Sequence, residues 1–274
     1  MSDLDALVPR ARAGDREALE GIVRQLQDPL YRLALRFLGH PETARDATQE
    51  VLILVITQLS TFRGDASLST WAYRIAARHL LRQRRKGKAV SFESLVEEDL
   101  SQPPNEIAPQ ALANAEARLL EEEVFLGCTQ AMLRALDKSQ RLAFILGAIL
   151  ELESAEAAAV LEISEAAFRK RLSRARSVLD AFVARHCGVA NHQAPCRCGY
   201  QVNHGIQLGR LDPSHLRFAQ PAERTSLEAL RAFGEIQRVR RSLELYRAQP
   251  ELRAPQDFAQ QLRKMIDQTA LSAS

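Results

Sequence analysis

From Glu153 to Phe182 the chain reads ESAEAAAVLEISEAAFRKRLSRARSVLDAF, and few folds can absorb such a stretch. Ala157, Ala158, Val160 and Leu161 form a short apolar helical run. Glu162 and Ile163 break it, and Ser164 is placed to cap a second helix. There Phe168, Leu172, Ala175 and Leu179 recur at i, i+4, i+7 and i+11, the spacing of one buried helix face. Arg169, Lys170, Ser173, Arg174 and Ser177 fall away from that face. Small residues at Ala157, Ala158, Ala166 and Ala167 allow two helices to cross closely. A short helix, a tight turn and a longer helix with a cationic outer face describe a helix-turn-helix. An ordinary helical hairpin shares the pattern.

The rest of the chain is also helical in pattern. Hydrophobic residues make up 46% and aromatics only 5%, with Ala, Leu and Arg plentiful, which favours helices over sheets. The fold expected is all-α. At 274 residues the chain has room for about two domains. Asp15 can cap a helix carrying Leu19, Ile22, Val23 and Leu26. A second helix carries Leu30, Leu33, Ala34, Phe37 and Leu38, stopped by Gly39 and Pro41. A third spans about 42–59, and its middle, Val51 to Ile56, reads as apolar all round. Its first half carries Asp46, Gln49 and Glu50 on one ridge. Spacing alone reads this as a solvated helix start, favoured by the helix dipole.

Thr61 to Lys88 is the second informative stretch. A polar loop with Gly64, Asp65, Ser67 and Ser69 leads to a helix expected to start near Thr70. Trp71, Arg74, Arg78, Arg82 and Arg85 then share one face, and Ala72, Ala76 and Leu80 the opposite one, with Tyr73 beside them. Between Phe62 and Lys88 stand eight Lys/Arg and a single acid, Asp65. A cationic face with an aromatic, behind a polar loop, suits a nucleic-acid backbone with an unstacked base. Trp71 as plain core is the alternative. Net charge is only +3, so such contact would come from local patches.

Residues 89–115 turn acidic and include Pro103, Pro104 and Pro109, which reads as an extended linker. A second helical block covers 116–185. Leu119, Val124, Leu126, Met132, Leu133 and Leu136 supply its first helix, and Leu142, Phe144, Ile145, Leu146 and Ile149 its second. Residues 186–274 form a tail. It opens with Cys187, Cys196 and Cys198 among His186, His192, His204 and His215. Three thiols with a nearby imidazole, His192, can hold zinc or another thiophilic metal, or respond to oxidants. Partly buried loop thiols explain the pattern equally well, and Cys-x₈-Cys-x-Cys is not a standard finger spacing. Cys128 lies in an expected helix and reads as core. Leu227, Leu230, Ile236, Val239 and Leu243 suggest a long helix. Pro255 opens another, with Phe258, Leu262, Met265 and Ile266.

No apolar run is long enough for a membrane span and no signal peptide is evident, which points to the cytoplasm without membrane contact. No phosphate-binding glycine loop or nucleophile-base spacing speaks for an enzyme.

Taken together, GDREALEGIV from Gly14, LYRLALRFLGHPETARDATQEV from Leu30, FRGDASLSTWAYRIAARHLLRQRRK from Phe62, LDKSQRLAFIL from Leu136 and ISEAAFRKRLSRARSVL from Ile163 resemble the extracytoplasmic-function (ECF) group of bacterial RNA polymerase sigma factors. The resemblance covers about 10–88 and 117–183. It implies core RNA polymerase and promoter DNA as partners, no catalytic residues and no required cofactor. Asp46, Gln49 and Glu50 would dock on the polymerase clamp, which reverses the reading from spacing. The loop and helix of 61–88 would open the "minus ten" element, through Trp71, Arg74, Arg78, Arg82 and Arg85. The helix-turn-helix would read the "minus thirty-five" element, through Ala167, Arg169, Lys170, Ser173 and Arg174. The linker would thread towards the active cleft. The tail resembles extensions that regulate some ECF factors in place of an anti-sigma protein, itself a further candidate partner. Leu52 departs from the usual Phe or Trp, Glu153 from a Ser cap, and Ala167-Phe168 from a Thr-Val pair. A stand-alone helix-turn-helix regulator is the alternative function.

Overall fold

The computed structural model describes residues 3–83, 90–97, 115–220, 241–250 and 253–254. Arg85, the three linker prolines, Leu227, Leu230, Ile236, Val239 and the expected helix from Pro255 lie outside these residues. Among the described residues the architecture is helical, with one isolated β-bridge between Cys187 and Cys196.

The chain divides into two compact units. The first holds the described residues of 3–83, 152–168 and 253–254; the second holds those of 90–97, 115–151, 169–220 and 241–250.

In the first unit, α1 (Asp3–Ala6) and α2 (Val8–Arg12) lead into α3 (Arg16–Leu38). The Asp15 carboxylate caps α3 by accepting from the amides of Glu17 at 2.9 Å and Ala18 at 3.2 Å. Gly39, at φ 72°, ends it in the left-handed region that suits glycine. Two helices were expected here, but α3 is continuous through Pro29. The proline removes one backbone bond, a cost of about 3 kcal/mol in a helix interior. Leu26, Leu30, Leu33 and Phe37 form an unbroken buried stripe across it, and their burial outweighs that loss.

Helix α4 (Pro41–Thr57) packs along α3 and buries Val51, Leu52 and Val55. Ile53, Leu54 and Ile56 are only half-buried, so the expected all-round burial of 51–56 gives way to a two-sided helix. A short 3-10 turn, Leu59–Thr61, then leads to the loop before α5 (Leu68–Arg82). The cap of α5 is Ser67, three residues before the expected Thr70, because its hydroxyl accepts from the Thr70 amide at 3.1 Å. Ala72, Ala76 and Leu80 form the buried face of α5 against α3 and α4, as their spacing required. Helix α9 (Ser154–Leu161) completes this unit by packing on α5.

The second unit opens with α6 (Phe92–Leu95), a single helical turn closed by a capping box between Ser91 and Ser94. An extended chain was expected there; the reciprocal serine bonds supply a local alternative. Phe92 packs on Phe182 with ring centroids 4.9 Å apart. Helix α7 (Ala115–Ala135) and α8 (Lys138–Phe144), which continues as a π-turn over Ile145–Ile149, form the centre. Helix α10 (Glu165–His186) begins in the first unit and runs into the second. The tail adds α11 (Cys198–Gln207), laid along α7, and α12 (Arg241–Arg247), against the π-turn after α8.

Candidate nucleic-acid interface

Helix α4 presents the acidic ridge as the sequence placed it. Asp46 and Glu50 are exposed and Gln49 is half-buried. Ala44, Ala47 and Thr48, on the other side of the same turns, are buried and hold the ridge outward. Glu50 lies 3.3 Å from His79 on α5, so the ridge borders the basic helix.

On α5, Trp71 is half-buried and packs on Phe62 with centroids 5.5 Å apart and planes tilted by 56°. Neither plain core nor a free aromatic describes it: one side is supported and the rest is open. Beside it, burial pushes the Tyr73 hydroxyl up to about 12, which keeps the phenol neutral. Arg82 is exposed. Two of the other cations have partners from the neighbouring α9 segment. Arg74 donates to the Ala159 carbonyl at 3.2 Å, and Arg78 grips Glu162 with a two-pronged contact, Nε to Oε2 at 2.7 Å. That hydrogen bond to Arg78 holds the Glu162 carboxyl below its ordinary value, and the same bond raises Arg78. Thr70 donates to Glu156 at 2.7 Å. Sequence reading missed Glu156 and Glu162 as neighbours of α5, because both lie more than eighty residues away.

The helix-turn-helix signal folds locally as read. Helix α9 ends at Glu162, which adopts the left-handed conformation at φ 55° and ψ 44°. Ser164 then caps α10, accepting from the Ala167 amide at 3.2 Å. Phe168, Ala175, Leu179 and Val183 are buried and Leu172 is half-buried. Arg169, Lys170, Ser173 and Arg174 are exposed on the outward side, with Ala167 half-buried beside them. The stripe thus turns the cations out along a rigid helix, the geometry that a groove-reading helix needs.

The tail thiols come together differently from the sequence reading. Cys187 and Cys196 pair on the β-bridge, and Cys198 is buried at the start of α11. His192 is exposed, and only its backbone carbonyl takes part, accepting from Arg197 at 2.8 Å. Cys128 is exposed rather than core; it stands on α7, the helix along which α11 lies. Among the described residues no group of three or more His, Cys, Asp or Glu is placed to hold a metal ion, so the expected set Cys187, Cys196, Cys198 and His192 is not brought together. No described helix is long and apolar enough to cross a membrane.

These features define a helical DNA-binding protein of the sigma-70 type. Sigma-70 region 2 matches residues 22–90, which contain the acidic ridge and the basic helix, and sigma-70 region 4 matches residues 126–179, which contain the helix-turn-helix. The RNA polymerase sigma-H factor of Pseudomonas aeruginosa is 28% identical over 178 residues, covering 64% of this chain and 90% of that protein. The ECF RNA polymerase sigma-E factor of Escherichia coli (strain K12) is 28% identical over 181 residues, covering 64% and 91%. A solved structure, "Structure of CnrH in complex with the cytosolic domain of CnrY", matches with a TM-score of 0.47 and 25% identity, over 66% of this chain and 97% of that one. The chain belongs to the ECF sigma factors: it is an RNA polymerase sigma factor, which binds core polymerase and directs promoter recognition in transcription initiation. Both family matches end before residue 180, so the tail from 186 lies outside them.

Proposed function

We propose that the sigma-factor work is divided among three surfaces. Asp46, Gln49 and Glu50 on α4 dock on core polymerase. The loop before α5, with Trp71, Arg74, Arg78 and Arg82, holds the opened "minus ten" strand, and Arg85 continues that cationic run in sequence. Ala167, Arg169, Lys170, Ser173 and Arg174 on α10 meet the "minus thirty-five" duplex. The observation that carries this reading is the pairing, on consecutive packed helices, of an exposed acidic ridge with an aromatic-cationic face. A regulator that binds duplex DNA alone needs only the helix-turn-helix. Grooves attract cations through phosphates, and an opened strand additionally offers base faces for stacking.

In this proposal the protein works in the cytoplasm, where core polymerase and promoter DNA are found. Control falls first to the chain's own tail, which is bolted into the second unit through α7. A separate anti-sigma protein is a second means of control, competing for α4 and α5.

The test is core-polymerase binding by Asp46→Ala/Glu50→Ala. We expect an affinity loss of about tenfold, equal to about 1.4 kcal/mol, with unchanged helical circular dichroism. Unchanged affinity would remove α4 as the docking ridge.

A further inference from the structure

The loop that leads into α5 has an exposed tip and two held ends. Its tip is Arg63, Gly64 and Asp65, and Gly64 takes a left-handed φ of 78° that favours glycine. Its first end is the 3-10 turn Leu59–Thr61 with Phe62. The last carbonyls of a short helix lack partners within it. Here Arg12 of α2 supplies the donors. Its Nε donates to the Leu59 carbonyl at 3.1 Å, and its Nη2 to the carbonyls of Ser60 at 3.4 Å and of Phe62. A guanidinium presents its N–H groups as a planar fork, so one side chain can hold three carbonyls in a fixed arrangement.

The second end is caught at the start of α5. The Leu68 amide, one of the N–H groups that a helix leaves without an internal partner, donates to the Asp5 carboxylate of α1 at 2.7 Å. Leu68 is itself buried, so packing fixes this end as well. The first end also sets the aromatic pair. Arg12 holds the Phe62 backbone, and the buried Phe62 ring supports Trp71 at 5.5 Å. Arg12 and Asp5 thus reach one loop from 47 and 63 residues away. Both precede residue 22, where the sigma-70 region 2 match begins.

We propose that Asp5 and Arg12 are positioning residues for promoter opening: they fix both ends of this loop before DNA arrives, and so hold Trp71 and its Phe62 support ready for a base of the opened strand. This rests on the reading of Trp71 and the α5 face as the place of that strand. Ordering a loop on binding costs backbone entropy, and ends already ordered leave only the tip to settle. Neither residue has to touch DNA. The clamp takes hold of backbone groups and leaves the tip side chains, Arg63 and Asp65, exposed towards solvent. It therefore acts on capture of the opened strand and not on docking to core polymerase, which falls to α4.

The experiment uses the full chain assembled with core polymerase. The DNA is a promoter that the wild-type holoenzyme selects from random-sequence duplexes, rebuilt as a fork that is single-stranded across the "minus ten" element. Arg12→Ala and Asp5→Ala should each weaken binding to this fork about tenfold, the scale of one lost base stack. Both should also lose most of the preference for the intact strand over one made abasic across that element. Affinity for core polymerase should stay within about twofold, as for a surface substitution. Asp5→Asn keeps an oxygen that can accept the Leu68 amide and should restore the binding that Asp5→Ala loses. Trp71 is the only tryptophan in the chain, so its fluorescence reads the clamp without DNA or polymerase. Acrylamide should quench it more strongly in Arg12→Ala than in wild type. Wild-type fork binding and quenching in both alanine variants would overturn the clamp, and so would a parallel loss of polymerase affinity. Trp71→Ala tests the reading beneath it. If Trp71→Ala weakens fork binding and Arg12→Ala does not, the clamp alone falls. If Trp71→Ala also binds the fork as wild type does, the strand lies elsewhere and both fall.

Discussion

At the scale of the residue, single side chains set where each functional helix begins. Ser67 does so for α5. Its hydroxyl accepts the Thr70 amide at 3.1 Å and lies 2.7 Å from the Thr70 hydroxyl, which in turn donates to Glu156. A capping serine therefore orients the first turn of the helix that carries Trp71. Ser67→Ala should destabilise the protein by about 1 kcal/mol, read from urea unfolding, with the loss concentrated in amide exchange of residues 68–71. Uniform exchange changes across the chain would place the cap's effect elsewhere. Glu162 shows the opposite use of one residue. It takes a left-handed conformation that costs a non-glycine residue about 1–2 kcal/mol, and its carboxylate grips Arg78.

At the scale of the element, α5 is occupied. The α9 segment supplies Glu156, the Ala159 carbonyl and Glu162 to the same helix face that is proposed to hold opened DNA. The Arg78–Glu162 pair is about half exposed, so it contributes about 0–1 kcal/mol despite its good geometry. Its pH dependence has a definite sign. The Glu162 carboxyl is held below its ordinary 4.5 chiefly by the Arg78 hydrogen bond. The contribution is therefore complete above 4.5 and disappears as pH falls through the lowered folded value. The stability difference between wild type and Glu162→Gln should shrink towards zero in that acid window, measured by urea unfolding at each pH. At neutral pH, Glu162→Gln should also tighten binding to a forked promoter fragment a few-fold, because Arg78 is released to phosphate. Equal binding by both proteins would mean that α9 does not compete with DNA.

At the scale of the whole molecule, the tail is part of the second unit's core. Tyr246 of α12 is buried, donates to the Thr129 carbonyl at 2.9 Å and packs edge-on against Phe144 at 5.4 Å. Gln249 donates to the Thr129 hydroxyl at 2.7 Å. Glu123 of α7 accepts three successive tail amides, from Arg217, Phe218 and Ala219. Three buried acids in a row on α7 would be costly without such donors. Tyr246→Phe should cost about 1 kcal/mol in the unfolding of the second unit, since a buried hydrogen bond to the Thr129 carbonyl is lost while its helical bond remains. No change on removing that hydroxyl would show a tail that only rests on the surface.

What the sequence determined by itself is local. The Asp15 cap, the Gly39 stop, the apolar face of α5, the turn at Glu162 and the buried stripe of α10 all follow from interactions within a few residues, where helical geometry fixes which side chains meet. The acidic ridge and the cationic faces were legible for the same reason. The continuity of α3 through Pro29 was not, because a stripe buried by α4 and α5 decided it against local propensity. Glu162 holding Arg78 and Glu123 holding the tail were also beyond reach. Each joins residues more than eighty positions apart, and side-chain type alone does not say which distant partner packing will bring alongside.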